Sequence, residues 1–191
     1  MMKIAVFASG SGTNAQHIAE YFHAHADIRV SLIISNKRDA FVLERAERMK
    51  IPAVVITGEA FREGRYIQGV LSSHQIDFIV LAGFLLLLPA TLIREYPGRI
   101  LNIHPALLPK YGGKGMYGWH VHEAVIAAGE KESGISIHFV NESYDEGQVI
   151  FQAKCPVYES DTPDTLATRI HELEYSHYPR IIEKVVMNLT T

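Results

Sequence analysis

Asn102 and His104 stand two residues apart in the apolar run Ile100-Leu101-Asn102-Ile103-His104, which Pro105 and then Pro109 bring to an end. In an extended segment side chains alternate between faces, so Asn102 and His104 share one side while Leu101 and Ile103 take the other. An amide carries neutral N–H donors, and an imidazole can hold or release a proton near neutral pH. Together they suit a carbonyl that turns into a tetrahedral oxyanion. The same pair also reads as a strand end whose polar groups satisfy nearby backbone, so the chemical reading depends on other residues converging on it. Asp145, on the glycine-bearing loop Asn141-Glu142-Ser143-Tyr144-Asp145-Glu146-Gly147, is one candidate: it would face His104 and tune its proton, or else be an ordinary turn aspartate.

The elements that would position these groups follow from periodicity. Lys3 to Ala8 reads as a buried strand, Ser9 to Asn14 as a tight loop with two glycines, and Ala15, Ile18, Ala19 and Phe22 recur at helical spacing. A helix N-terminus after such a loop presents backbone N–H groups and a positive dipole end, which suits a phosphate. The letters Gly10-x-Gly12-x-x-Ala15 also satisfy a loose dinucleotide fingerprint, and an NADP-binding oxidoreductase is therefore a competing reading. The next strand, Ile28 to Ile34, leads into Ser35-Asn36-Lys37-Arg38, with no acidic residue for a ribose hydroxyl.

The alternation continues with a helix over 40–50, a strand over 53–56, a helix over 62–74 and a strand over 77–82. Strands this apolar are buried on both faces, which implies a parallel sheet with helices on either side and ligands at the strand C-terminal ends. Gly83-Phe84-Leu85-Leu86-Leu87-Leu88-Pro89 leaves the fourth strand as a loop apolar enough to line a pocket for a flat ring. A short helix over 90–96 leads to the Asn102 strand. After Pro109 comes a segment with four glycines and interspersed aromatics, Lys110 to Trp119, which is expected to be mobile. His120 and His122 are poorly placed on a helix to share one metal, and no third ligand has suitable spacing, so no metal site is expected. Strands follow over 134–141 and from Gln148. Thr162-Pro163-Asp164 starts a closing helix that Pro179 is expected to kink or divide.

Composition narrows the class. At 191 residues one domain is expected, and a net charge of −3 with pI near 6.4 gives no basic footprint for nucleic acid. Cys155 is alone, which rules out an intramolecular disulfide and suits a reducing compartment. The N-terminus enters directly into a strand, and the longest apolar run, Phe78 to Leu88, is well short of the roughly 20 residues that span a bilayer. A cytoplasmic protein without membrane segments is the expectation.

Three stretches now stand together: Gly12-Thr13-Asn14, the run Asn102-Ile103-His104-Pro105-Ala106-Leu107-Leu108-Pro109, and Gly134-x-Ser136-Ile137-x-Phe139-Val140-x-x-x-Tyr144-Asp145-x-Gly147. The chain resembles the phosphoribosylglycinamide formyltransferases, folate-dependent enzymes that pass a formyl group from 10-formyltetrahydrofolate to the amine of glycinamide ribonucleotide in purine synthesis. The resemblance implies an α/β, three-layer, mostly parallel sheet with a Rossmann-like N-terminal half, the formyltransferase fold. It implies a single domain over 1–191, with a phosphate-binding half over 1–100 and a catalytic and folate-binding half over 101–191. It also implies that Asn102, His104 and Asp145 form one catalytic site, in which Asn102 and a protonated His104 stabilise the oxyanion and Asp145 sustains the imidazolium. Gly12, Thr13 and Asn14 would hold the phosphate and Glu174 the ribose or glycinamide end. Arg62, Leu85, Leu86, Leu87, Leu88, Asn141 and Tyr144 would line the folate site. Small-molecule substrates, no metal, and a monomer or homodimer complete the expectation. Many members carry Met-Arg where this chain has Leu85-Leu86, so an arginine contact to folate is lost here. Two rivals share the Asn-x-His-Pro stretch, methionyl-tRNA formyltransferase and formyltetrahydrofolate deformylase, but each normally carries an additional domain that 191 residues do not accommodate.

Overall fold

The computed structural model describes residues 1–143 and 145–189. Strands β1 (Met2–Phe7), β2 (Ile28–Ser35), β3 (Ala53–Val55), β4 (Phe78–Leu81), β5 (Ile100–His104), β6 (Glu132–Phe139) and β7 (Val149–Pro156) form a seven-stranded sheet in the order β3-β2-β1-β4-β5-β6-β7. The first five are parallel, whereas β6 and β7 run antiparallel to their neighbours. Helices α1 (Thr13–Tyr21), α2 (Val42–Arg48), α3 (Gly58–Glu63), α4 (Arg65–Ser73), α5 (Ala90–Glu95), α6 (Trp119–Ala127) and α7 (Pro163–Asn188) cover both faces.

Alternation within the strands feeds two separate cores. Ile4 and Val6 of β1 pack with Ala15 and Ile18 of α1, Val42 of α2, Val121 of α6 and Ile170 of α7. Ala5 and Phe7 pack on the other face with Phe61, Ile67, Leu71 and Leu92 from α3, α4 and α5. A central strand with helices on both sides has no solvent face, which is why β4 and the buried part of β1 from Ile4 to Phe7 are continuously apolar. The expected three-layer, mostly parallel α/β sheet is what forms.

Two local expectations are corrected. The single helix over 62–74 is two helices, α3 and α4, separated by Gly64 at φ +79°. A Cβ at Gly64 would lie 2.6 Å from Thr91 Oγ1, so the break is set by packing against α5. Pro179 does not divide the closing helix, and α7 runs through it from Pro163 to Asn188. The proline removes its own bond to the Tyr175 carbonyl, but its ring lies among the buried residues of α7 together with Tyr178 and Ile182, and that burial carries the helix through. The Tyr178 hydroxyl, which is also buried, donates to the carbonyls of Leu81 (2.9 Å) and Leu101 (3.2 Å). That contact fixes α7 to the end of β4 and to β5.

No helix among the described residues is long and apolar enough to cross a membrane.

Candidate active site

A cleft of about 650 Å³ runs along the C-terminal ends of the parallel strands. It is lined by the loop after β1, the apolar loop after β4, the end of β5, the glycine-rich segment before α6, and Glu174 and His171 of α7. The cleft therefore takes residues from both halves of the chain.

Asn102 and His104 are the last polar residues of β5, and they reach the cleft because the strand stops there at Pro105. Asp145 joins them from the loop between β6 and β7, its backbone at φ +55°. Gly147 permits that loop path: a Cβ there would overlap the carbonyl oxygen of Phe139. Asp145 Oδ2 accepts the Gly113 N–H at 3.0 Å and lies 3.5 Å from His104 Nδ1. Its Oδ1 lies 3.4 Å from Asn102 Nδ2 and 3.5 Å from His138 Nε2. The tertiary fold thus brings Asn102, His104 and Asp145 together, which sequence spacing could not do.

His138 is the residue that sequence reasoning missed. The antiparallel register places it directly opposite Asn102, and Asn102 Nδ2 donates to its Nε2 at 3.0 Å. His138 Nδ1 donates to the Phe139 carbonyl at 2.9 Å, which holds the ring in place. A signal did exist, in the alternation of Ser136 and His138 against Ile135 and Ile137. It acquires meaning only once the pairing of β5 with β6 is known. Asn102 consequently has one amide proton held by His138 and a second only loosely engaged with Asp145.

His104 Nε2 donates to the Tyr111 carbonyl at 2.7 Å, leaving Nδ1 as the atom that gains or loses a proton beside Asp145. The expectation of a raised imidazole pKa is corrected here. Burial of the ring lowers its pKa and wins, although Asp145 and the Tyr111 carbonyl act upward; His138 adds a further downward push. With 4% of its side chain exposed, His104 loses more from desolvation than one carboxylate at 3.5 Å returns. Asp145 goes the other way. Burial would raise its pKa, but the His138 contact, the His104 charge and the Gly113 N–H outweigh it and keep the carboxyl ionised below its usual range.

At the other end of the cleft, Gly12 takes φ +74° as the N-cap of α1, and no side chain caps that helix. A Cβ at Gly12 would collide with Val42 of α2, so the loop lies directly on that helix. Arg45 of α2 supports it from outside, donating to the Ser11 carbonyl at 2.8 Å. Thr13, Asn14 and Lys37 line the same end. Asn14 Nδ2 donates to Glu174 Oε2 at 2.7 Å, which joins the loop to α7. Burial pushes the Glu174 carboxyl up to about 7, with the Asn14 hydrogen bond only partly opposing it. Because the neutral form is the native one, the stability that Glu174 contributes is complete below about pH 4.5 and is lost as the pH rises to about 7. Glu174→Gln keeps an acceptor for Asn14 without the charge. Unfolding titrations should find this variant more stable than the wild type at pH 8, by roughly 3 kcal/mol, with the advantage gone at pH 4. Parallel stability curves at the two pH values would remove this account of Glu174.

Leu85, Leu86, Leu87 and Leu88 all line the cleft, with Phe84 and Val140 beside them. Ser9 positions this wall: its Oγ accepts the Leu85 N–H at 2.9 Å and donates to Asn36 Oδ1 at 2.5 Å. Arg62 does not reach the cleft. Phe61 takes the core-facing position of α3, which turns the next residue to solvent. Asn141 is exposed and acts on its own loop, its Oδ1 accepting the Ser143 N–H at 3.0 Å, while Ser143 lines the cleft. Tyr144 lies outside the described residues. Among the described residues no group of three or more His, Cys, Asp and Glu side chains is placed to hold a metal ion.

An α/β sheet with a phosphate-type loop after β1 and an amide, imidazole and carboxylate gathered at the end of β5 defines a group-transfer enzyme acting at a carbonyl carbon. The formyl transferase family model matches residues 2–182, and the chain belongs to that family. It is 40% identical over 189 residues to the phosphoribosylglycinamide formyltransferase of Haemophilus influenzae, covering 96% of this chain and 86% of that protein. It is 42% identical over 187 residues to the chloroplastic phosphoribosylglycinamide formyltransferase of Arabidopsis thaliana, covering 94% of this chain but only 64% of that longer protein. The crystal structure of phosphoribosylglycinamide formyltransferase from Bacillus halodurans superposes with a TM-score of 0.87 at 39% identity, covering 96% of this chain and 95% of that one.

Proposed function

We propose that this enzyme transfers the formyl group of 10-formyltetrahydrofolate to the amine of glycinamide ribonucleotide, giving formylglycinamide ribonucleotide and tetrahydrofolate. The observation that carries the reading is the trio of Asn102, His104 and Asp145 in one cleft with a phosphate-type loop and an apolar wall. Gly12, Thr13 and Asn14 hold the phosphate, with Glu174 toward the sugar. Leu85 to Leu88, Val140 and Ser143 receive the folate ring system.

In this reading the amine nitrogen attacks the formyl carbon, and the carbonyl oxygen becomes an oxyanion. The loosely engaged proton of Asn102 Nδ2 turns to that oxygen. His104, held neutral by burial, takes a proton from the attacking nitrogen at Nδ1 and becomes an imidazolium paired with Asp145. The same proton then passes to N10 of the folate as the bond from N10 to carbon breaks, and His104 returns to its neutral form. Asp145 makes the charged stage tolerable in a buried site. An NADP-binding oxidoreductase would leave this trio without a task.

The test is direct: 10-formyltetrahydrofolate is supplied with glycinamide ribonucleotide, with water alone, or with methionyl-tRNA, and release of tetrahydrofolate is followed. Turnover is expected with the ribonucleotide only. Release with water or with methionyl-tRNA at a comparable rate would replace this substrate assignment.

The apolar wall has its own test. Leu86→Arg places a charge where the cleft is apolar, and the KM for the folate should shift while the KM for the ribonucleotide stays within about twofold. Equal titrations of both ligands in the variant and the wild type would take this loop out of the folate site.

A further inference from the structure

His122, in the first turn of α6, is 3% exposed yet forms part of the cleft wall. Its Nδ1 is buried and has no hydrogen-bond partner among the described residues. A buried N–H without a partner is costlier and rarer than a bare lone pair, so the proton belongs on Nε2 and Nδ1 is left unprotonated. A second proton would have to sit on the orphaned Nδ1, and burial together with the neighbouring His171 and His104 lowers the pKa to about 4. The ring is therefore a neutral donor with a fixed tautomer, and Nε2–H is the atom it can offer to the cleft.

Its position selects what receives that proton. His122 is close enough to both His104 and His171 to feel their charge, and all three line the cleft together with Glu174. The loop of Gly12, Thr13 and Asn14 lines the same cleft, tied to Glu174 through Asn14. A neutral donor reads no phosphate charge and suits an uncharged oxygen.

We infer that His122 is a substrate-binding residue whose Nε2–H donates to an uncharged oxygen acceptor in the sugar–amide segment of the ribonucleotide, between the phosphate and the reacting amine. The inference rests on the ribonucleotide reading of the cleft. It assigns His122 no part in the proton transfer.

The test separates this contact from mere packing. Gln places an amide nitrogen near the imidazole Nε2, Asn places one near Nδ1, and Leu offers neither. His122→Leu and His122→Asn should raise the ribonucleotide KM by about three- to tenfold, with kcat, its pH profile and the folate KM held within about twofold. His122→Gln should recover most of the loss. Inhibition by inorganic phosphate, which does not reach the sugar–amide segment, should be the same in all four proteins. If the leucine variant fails to fold, ring 15N shifts of His122 in the wild type give the same answer: Nε2 protonated throughout, its resonance moving when the ribonucleotide is added. A wild type that neither binds nor formylates the ribonucleotide would overturn the functional reading and this contact with it. A wild type that does both, with unchanged KM in His122→Leu or unmoved ring shifts on saturation, would overturn the His122 contact alone.

Discussion

Asp145→Asn is expected to lower the rate of formyl transfer at neutral pH by about two to three orders of magnitude, while the KM values of both substrates change by no more than about threefold. The asparagine oxygen can still accept the Gly113 N–H, so the loop keeps its anchor. What disappears is the negative charge beside His104 Nδ1 and His138 Nε2. Burial already holds His104 below its ordinary pKa, and Asp145 is the largest influence opposing that shift. Without the carboxylate the imidazole pKa falls further, and the imidazolium formed during proton transfer has no counter-charge. The sign of the pH effect follows. A general base works in its neutral form, so the acid limb of the kcat profile moves to lower pH in the variant, with a lower plateau above it. NMR titration of His104 in both proteins, alongside the pH profiles, measures each part. A variant with near wild-type turnover, or the same His104 pKa in both proteins, would end this role for Asp145.

Removal of the Asn102 amide is expected to be comparably severe. In Asn102→Ala the oxyanion loses its donor, and a preorganised donor of this kind contributes about 3 to 4 kcal/mol, or about 10²- to 10³-fold in kcat. His138 Nε2 loses its partner as well, so part of the effect comes from a ring no longer tied to β5. Asn102→Asp distinguishes the two causes. Its shape is retained, yet a second carboxylate then lies next to Asp145 Oδ1, where Asn102 Nδ2 is now 3.4 Å away. Two like charges that close cannot both ionise without penalty, and one of the two pKa values must rise. Asn102→Asp should therefore be at least as slow as Asn102→Ala at neutral pH, and should partly recover as the pH falls and the pair takes up a proton. Single-turnover measurements with both substrates saturating isolate the chemical step. If either variant kept more than about a third of the wild-type rate, oxyanion stabilisation by Asn102 would be excluded.

Much of this arrangement is local and so could be read from the chain itself. The pairing of Asn102 with His104 depends only on the two-residue period of an extended strand, and the two prolines beyond it mark where the strand must stop. The loop from Ser9 to Asn14 is legible for a similar reason: an apolar strand, two glycines and a helical period within a short stretch leave one way to turn. Leu85 to Leu88 likewise announced a pocket wall, being too apolar for an ordinary surface loop. Each of these inferences uses neighbours in sequence, where covalent geometry fixes the outcome.

The remainder depended on distances that only the folded chain sets. His138 faces Asn102 because β6 pairs antiparallel with β5 in one particular register, and a slip of one residue would have turned it to the opposite face. Arg62 points to solvent because Phe61 claims the core on a helix whose end is fixed by contact between Gly64 and Thr91. Glu174 and Asn14 are far apart in sequence and 2.7 Å apart in space, and the carboxyl pKa near 7 comes from a burial that no local pattern encodes. His104 shows the difference most clearly. Its chemistry could be read from its residue type and place in the strand, but the direction of its pKa could not, because the answer is a contest between desolvation and one carboxylate. Desolvation sums over everything packed around the ring, and that sum exists only in the tertiary structure.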